Sequence, residues 1–383
     1  MGDAKGRSIA LFYLSTFLYW TSMYVYMPIL SVHSENLGAT IGLIGTIVGA
    51  YGFSQLAFRI PLGVWSDRIG MRKPFILAGL VAASVGALGL GLSTDPLWLV
   101  LWRGVTGVGA AAWVAFTVLF SSYFPPEKAS RAMSQVVFIA GMGQMIGSFS
   151  GGLIAQQWGW EVPFFVATAL GLLGALASLG LQEMPVSTRR EVSARDLWRI
   201  GTAPLLLAVS IVAMLSSWTQ WVTVYGFTPV YAARLGASRA DLGALTTLMQ
   251  LGYTLSTLIC AYFADRLGMK ATLIAGIAIQ GFGAVMVPFL DNLFLVGVSQ
   301  VMGGIGRGIP YPLLMGLSIR AVPPADRATA MGVFQGVYAL GMFAGPSTTG
   351  LLGDSFGLSS VFFFCGAVTV VAIAVVLGRI PAK

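Results

Sequence analysis

Apolar stretches of about 20 residues recur from one end of the chain to the other, separated by short polar breaks. Each is long enough to cross a hydrocarbon core of roughly 30 Å as a helix. Their limits predict spans at about 8–31, 39–64, 74–93, 96–121, 131–156 and 162–182. A second set follows at about 203–230, 238–263, 271–289, 293–319, 329–354 and 360–380. We number these spans 1 to 12. The pattern divides the chain into a six-helix unit at 1–182, a charged linker at 183–202 and a second six-helix unit at 203–383. Span 1 is long and aromatic, and no small-residue cleavage site follows it. It is therefore expected to be a retained helix, unlike a signal peptide. No stretch fits a soluble domain.

The two halves repeat each other at one offset. Asp67-Arg68-Ile69-Gly70-Met71-Arg72 returns as Asp265-Arg266-Leu267-Gly268-Met269-Lys270, 198 positions later. The same offset links Leu37-Gly38-Ala39 to Leu235-Gly236-Ala237, Pro125-Pro126 to Pro323-Pro324 and Trp20-Thr21 to Trp218-Thr219. It also links Gly143 and Gly147 to Gly341 and Gly345. Such a duplication in a membrane protein predicts two similar bundles with a site between them.

Composition agrees. The chain is 56% hydrophobic and 9% charged, against about 25% charged in soluble domains. Lys and Arg near span ends favour the cytoplasm. With the N-terminus inside, only Arg234 and Arg239 of the 22 basic residues fall in outside segments. Arg59, Arg103 and Arg307 fall in spans, and the rest lie inside. The net charge of +8 thus reflects topology, with both termini cytoplasmic, and does not indicate nucleic-acid binding. Two cysteines, Cys260 and Cys365, and one histidine, His33, speak against a disulfide framework, a structural zinc site or a Cys/His catalytic pair. No cofactor is expected.

Gly63-Val64-Trp65-Ser66-Asp67-Arg68-Ile69-Gly70-Met71-Arg72-Lys73 resembles the loop between helices 2 and 3 of the major facilitator superfamily. The family pattern is Gly-x-x-x-Asp-Arg-x-Gly-x-Arg-Lys, and every fixed position is met. The resemblance covers the whole chain and implies an all-α integral membrane protein of twelve transmembrane helices in two pseudo-symmetric bundles. The second copy has Ala261 where the glycine would stand. The resemblance implies that Asp67, with Arg68, gates the cytoplasmic side by docking onto the opposite bundle, and that Asp265 and Arg266 do the mirrored work. Arg131 follows the Pro125-Pro126 anchor and joins them as a gating candidate. A plain loop with topogenic charges is the alternative.

In span 4, Arg103-Gly104-Val105-Thr106-Gly107-Val108-Gly109 resembles the family's second motif, whose arginine is linked to coupling in proton-driven members. A structural Arg103, snorkelling or bonding carbonyls of span 1, is an equal alternative. Efflux-type members often carry Gly-x-x-x-Gly-Pro-x-x-Gly-Gly in span 5. Here Ser148 replaces that proline, and the intact Gly345-Pro346 step lies in span 11.

No acidic residue lies in the middle of a predicted span. Many multidrug exporters of this family hold a carboxylate in span 1, where this chain offers Tyr13, Phe17, Trp20 and Tyr24. The charges inside spans are positive, and a mid-membrane charge should face a cavity or a partner. Arginine suits carboxylate or phosphate because its planar donors bind in pairs. Arg307 is the most central, in Gly306-Arg307-Gly308-Ile309-Pro310-Tyr311-Pro312, where an irregular helix is expected. It either meets substrate or bonds carbonyls freed at that break. Trp113 and Tyr311 are equivalent at the 198 offset, Trp218, Trp221 and Tyr225 share helical spacing in span 7, and Gln55, Gln144, Gln250 and Gln335 sit in spans 2, 5, 8 and 11. Tyr24, Trp113, Gln144, Trp218, Trp221, Gln250, Arg307, Tyr311 and Gln335 are the substrate-binding candidates, a wall of rings with neutral polar hooks.

The expectation is a secondary transporter of a small amphipathic or anionic organic molecule, in a bacterial-type cytoplasmic membrane, monomeric in the lipid bilayer, with export preferred. Proton-coupled or exchange-driven uptake of an anionic metabolite is the near alternative, and a non-transporting receptor or scaffold of the same fold the distant one. An enzyme is not expected, since no nucleophile–base pair or metal cluster lies within the membrane. Protons are the candidate coupling ion, carried by Glu35, Asp241 or another rim acid.

Overall fold

A computed structural model describes residues 2–184, 194–320, 322–323 and 326–381. The helices are α1 (Gly2–Tyr24), α2 (Met27–Asn36), α3 (Ile41–Ile69), α4 (Lys73–Leu92), α5 (Pro96–Ala111), α6 (Trp113–Ser122), α7 (Pro126–Trp158) and α8 (Val162–Leu179). After a short helix α9 (Ala194–Gly201) come α10 (Pro204–Gln220), a π-helical turn (Trp221–Phe227), α11 (Thr228–Arg234), α12 (Arg239–Leu267) and α13 (Met269–Met286). The last are α14 (Leu293–Gly308), α15 (Pro310–Arg320), α16 (Arg327–Phe356) and α17 (Leu358–Arg379). Among the described residues, nine helical stretches are long and apolar enough to cross a membrane. The other three predicted spans are broken or carry more polar residues, and all twelve have a helical counterpart.

Four spans are interrupted, and the interruptions obey the 198 offset. Span 1 breaks at Val25-Tyr26 and span 7 widens into the π-turn that contains the equivalent positions. Span 4 breaks at Ala112 and span 10 at Ile309, one residue from the equivalent place. Proline explains three of them. Pro28, Pro229 and Pro310 sit in the first turn of the segment after each break. A proline there lacks the N–H that would continue the helix and clashes with the carbonyl four residues back. The Ala112 break has no such cause.

Chain turns repeat as well. The six positive-φ glycines are Gly38 and Gly236, Gly70 and Gly268, Gly159 and Gly357, three pairs 198 residues apart. Only glycine enters that region without cost.

The chain forms two compact units. The first comprises Met1–His33, Phe53–Arg190 and Arg239–Ala244, and the second Ser34–Gly52, Glu191–Ser238 and Leu245–Lys383. In the first, α1 packs on α7 and α8, and α4 on α5 and α8. In the second, α10 packs on α16 and α17, and α13 on α14 and α17, the same plan one offset later. The first unit's core is aromatic where Phe12 meets Phe116, Phe120 and Tyr123, with centroids 4.7–6.2 Å apart. The second is mainly aliphatic, with Leu206, Val209, Val212, Leu273 and Val376 around Phe334 in one buried cluster.

Each unit borrows a segment from the other half of the sequence. In the second unit, Gly42, Gly45, Gly49 and Gly52 of α3 lie on one face against α16. A Cβ at Gly45 would overlap the carbonyl oxygen of Pro346. Without side chains between them the backbones approach closely, which is how helices associate in lipid. At the start of α3, Asp354 Oδ1 accepts from Gly42 N at 3.0 Å and Oδ2 from Thr40 Oγ1 at 3.0 Å. In the first unit, Gln156 Oε1 accepts from Arg239 N at 3.1 Å at the start of α12. Asp354 and Gln156 stand 198 positions apart, so each half caps a helix of the other. The Arg239 guanidinium adds a bond to Ala155 O at 2.8 Å and lies 4.4 Å over the Trp160 ring. Arg234 pairs with Glu35 at 2.8 Å in the second unit.

Orphan N–H groups at a helix start are satisfied by such acceptors. Asp354→Ala should cost about 1 kcal/mol, the usual price of a lost cap, while Asp354→Asn keeps an acceptor and should unfold with the unaltered protein. Thermal unfolding of the purified protein checks both. Equal loss in the two variants would assign the effect to charge.

Candidate functional site

Arg307 is the best-formed candidate. It ends α14, just before the Ile309 break that proline and glycine impose. Its guanidinium carbon lies 4.6 Å from the Tyr253 ring centroid and 5.7 Å from that of Tyr311. Its Nη2 donates to Tyr338 Oη at 3.3 Å. Tyr311 and Tyr338 themselves meet at 5.4 Å. Three tyrosines from α12, α15 and α16 thus surround one cation. The carbonyl of Gly308 at the break accepts from Thr257 Oγ1 at 3.2 Å, so a hydroxyl serves it. Arginine on tyrosine faces gains roughly 0.5–2 kcal/mol per ring. The rings leave its net charge intact, and Tyr338, by accepting from Arg307, keeps its own O–H to donate onward.

The first unit carries an aromatic wall. Trp113, at the start of α6, lies parallel to Tyr19 at 6.4 Å and edge-on to Trp20 at 5.1 Å. Trp20 also meets Tyr24 at 5.9 Å. Tyr19 Oη donates to Gly109 O at 2.9 Å, just before the span 4 break. Trp113 and Tyr311 therefore both follow a break in their spans, as their equivalence predicts.

Arg103 has a different setting. It is 1% exposed, and Nη1 donates to Tyr26 Oη at 2.9 Å and Thr106 Oγ1 at 3.2 Å. Its Nη2 reaches Met27 Sδ at 3.1 Å. Tyr26 lies in the span 1 break and Met27 follows it, so Arg103 braces the interruption through side chains.

Span 7 splits its aromatics. Trp218 Nε1 donates to Thr349 Oγ1 at 3.0 Å, and its ring meets Phe364 at 6.0 Å. Trp221 stacks on Tyr51 at 5.3 Å and meets Tyr225 at 4.8 Å. The two tryptophans therefore serve different surfaces. Gln250 is buried, and Gln144 and Gln335 are half-buried. Gln55, also buried, accepts from Arg59 at 3.3 Å.

In the loop between α3 and α4, Asp67 pairs with Arg72, which also bonds Ser66. Arg68 is exposed. The carboxylate that caps a helix there is Glu183, whose two oxygens accept from Arg72 N and Lys73 N at 2.8 Å each, at the start of α4. Sequence reasoning missed Glu183 because it lies in the linker. In the second copy Asp265 and Arg266 are exposed, and Arg266 covers the Tyr262 ring at 4.7 Å. The Arg131 side chain lies outside the described residues. His33 packs against Trp160 and Phe164, and burial lowers its pKa, with Glu161 opposing. Among the described residues no cluster of His, Cys, Asp or Glu is placed to hold a metal.

Comparison with known proteins adds identity of family. The model described as Major Facilitator Superfamily matches residues 12–233 and 206–383. An uncharacterized MFS-type transporter of Methanocaldococcus jannaschii is 24% identical over 375 residues, covering 95% of this chain and 96% of the relative. The multi-drug resistance efflux pump PmrA of Streptococcus pneumoniae is 22% identical over 373 residues, covering 93% and 92%. Among solved structures, the nucleoside transporter NupG superposes with a TM-score of 0.85 at 15% identity, covering 99% and 100%. A bacterial homolog of the lysosomal transporter Spinster gives 0.81 at 16%, covering 98% and 96%.

Proposed function

The chain belongs to the Major Facilitator Superfamily, and on that premise we propose that this multi-pass membrane transporter moves a small amphipathic or anionic organic molecule, outward by preference. The moving bodies in this reading are residues 1–182 and 203–383, joined by 183–202, and they work by alternating access. The membrane is the cytoplasmic one, with both termini inside, and the chain acts as a monomer. The observation that carries the substrate class is the Arg307 cage. Tyrosines from three helices stack on or bond the guanidinium, whose planar donors suit a carboxylate. Such a group favours an acceptor-bearing ligand. The efflux pump among the relatives supports export, as does the glycine run of span 5.

The test is flux in proteoliposomes with two probes of one ring, 2-naphthoate and 2-naphthylmethylamine. Faster, saturable flux of the carboxylate supports the reading, and faster flux of the amine overturns it. Imposing a proton gradient of either sign then separates proton-driven export from uptake.

A further inference from the structure

Trp20 and Trp218 hold the same place in the two halves, 198 residues apart, but their indoles meet different fates. Trp218 Nε1 donates to Thr349 Oγ1. The first-half equivalent of Thr349 is Gly151, which has no hydroxyl. A threonine has no room there. Even a Cβ at Gly151 would overlap the carbonyl oxygen of Val25, because α7 runs against the backbone of span 1 at its break. Close packing at the interruption thus removes the acceptor that the second half retains. Trp20 Nε1 is buried with no hydrogen-bond partner in the structure. Its ring meets Trp113 at 5.1 Å and Tyr24 at 5.9 Å, where Trp218 instead meets Phe364. Thr16, one turn back on the same helix face, also has a buried hydroxyl without a partner.

An indole N–H can only donate. Buried without an acceptor it costs free energy, and such groups in native proteins call for a partner. We infer that Trp20 is the hydrogen-bond donor that the first unit presents to the transported molecule. It takes a carbonyl or carboxylate oxygen carried on a flat ring, and that ring lies in the angle between Trp113 and Tyr24. The inference rests on the substrate reading above, and assigns to this wall a polar hook as well as a surface. The asymmetry of the duplication is what marks it: a satisfied tryptophan is structure, and its unsatisfied mate is a contact.

The experiment measures affinities of the purified full-length chain for 2-naphthoate, 2-naphthamide and 2-methylnaphthalene. Trp20→Phe keeps an aromatic ring and removes the N–H. It should weaken the carboxylate and the amide about tenfold, the loss of one good hydrogen bond, and leave the hydrocarbon unchanged. Trp218→Phe should lower the unfolding temperature, because it breaks the bond to Thr349. Should Trp20→Phe fold poorly, benzothienylalanine at position 20 replaces the N–H by sulfur at nearly constant shape. Unchanged affinity for the two acceptor probes overturns the assignment, and a lowered unfolding temperature beside it makes the N–H the partner of an internal water. Absence of any probe binding to the unaltered protein overturns the substrate reading and this assignment together. Binding that Trp20→Phe leaves unweakened overturns this assignment alone.

Discussion

Arg307→Ala is expected to reduce carboxylate flux roughly 10- to 150-fold, the equivalent of losing a charge-assisted hydrogen bond of about 1.5–3 kcal/mol. The guanidinium sits in a cage of Tyr253, Tyr311 and Tyr338. Its removal leaves three tyrosine rings and their hydroxyls, which hold an apolar body but do not compensate a negative charge. Arg307→Lys should recover only part of the flux. Lysine keeps the charge but has neither the flat face that stacks on tyrosine nor the fork that binds a carboxylate twice. Initial rates in proteoliposomes, normalised to monodisperse protein, give the comparison. Rates within twofold of the unaltered protein for the alanine variant would make the cage a structural element.

Gly151→Val is expected to have the largest effect on folding. Its first side-chain carbon would overlap backbone, the Val25 carbonyl oxygen, and backbone has no rotamer in which to retreat. Overpacking typically costs about 1–3 kcal/mol, occasionally more, and here the neighbour is least able to yield. Gly141, ten residues earlier on the same helix, has nothing within 4 Å of a Cβ. Gly141→Ala should therefore be neutral or gain up to about 1 kcal/mol from helix propensity. Fluorescence-detected size exclusion after graded heating ranks the three proteins. Equal behaviour of the two variants would mean that α7 tolerates displacement from span 1.

The span plan and the duplication were legible because both are written in short-range terms. Apolar length marks a span, and a glycine at positive φ marks a turn. Gly38, Gly70 and their mates Gly236 and Gly268 stood in repeated words of sequence, and the structure turns the chain at each. The irregularity near Arg307 was legible for the same reason, since Gly306, Gly308, Pro310 and Pro312 are local signals. The breaks at Val25 and Trp221 were not read, although Pro28 and Pro229 announce them. The Ala112 break carries no local mark at all.

Side-chain partnerships were the least legible, because they depend on distant chain. Arg103 was weighed as a coupling residue or a partner of span 1 carbonyls. Its bonds include those to the Tyr26 and Thr106 hydroxyls and the Met27 sulfur, partners the sequence did not point to. Asp67 was read as a gating residue from the motif; its pairing with Arg72 and the capping of α4 by Glu183 were not read. Trp113 and Tyr311 were paired by offset alone, and both follow a break. The two tryptophans of span 7 looked like one stripe, and the π-turn sends them to different neighbours.

The borrowed segments impose an order on biosynthesis. The glycine face of α3 and its first free N–H groups are made early, yet Pro346 and Asp354, which cover them, leave the ribosome about 300 residues later. Until then a bare glycine stripe faces lipid or a surrogate helix. A nascent chain stalled before span 11 is incomplete in its first half as well as its second. Such a chain offers quality-control proteases an exposed stripe in span 2, far from its own cut end.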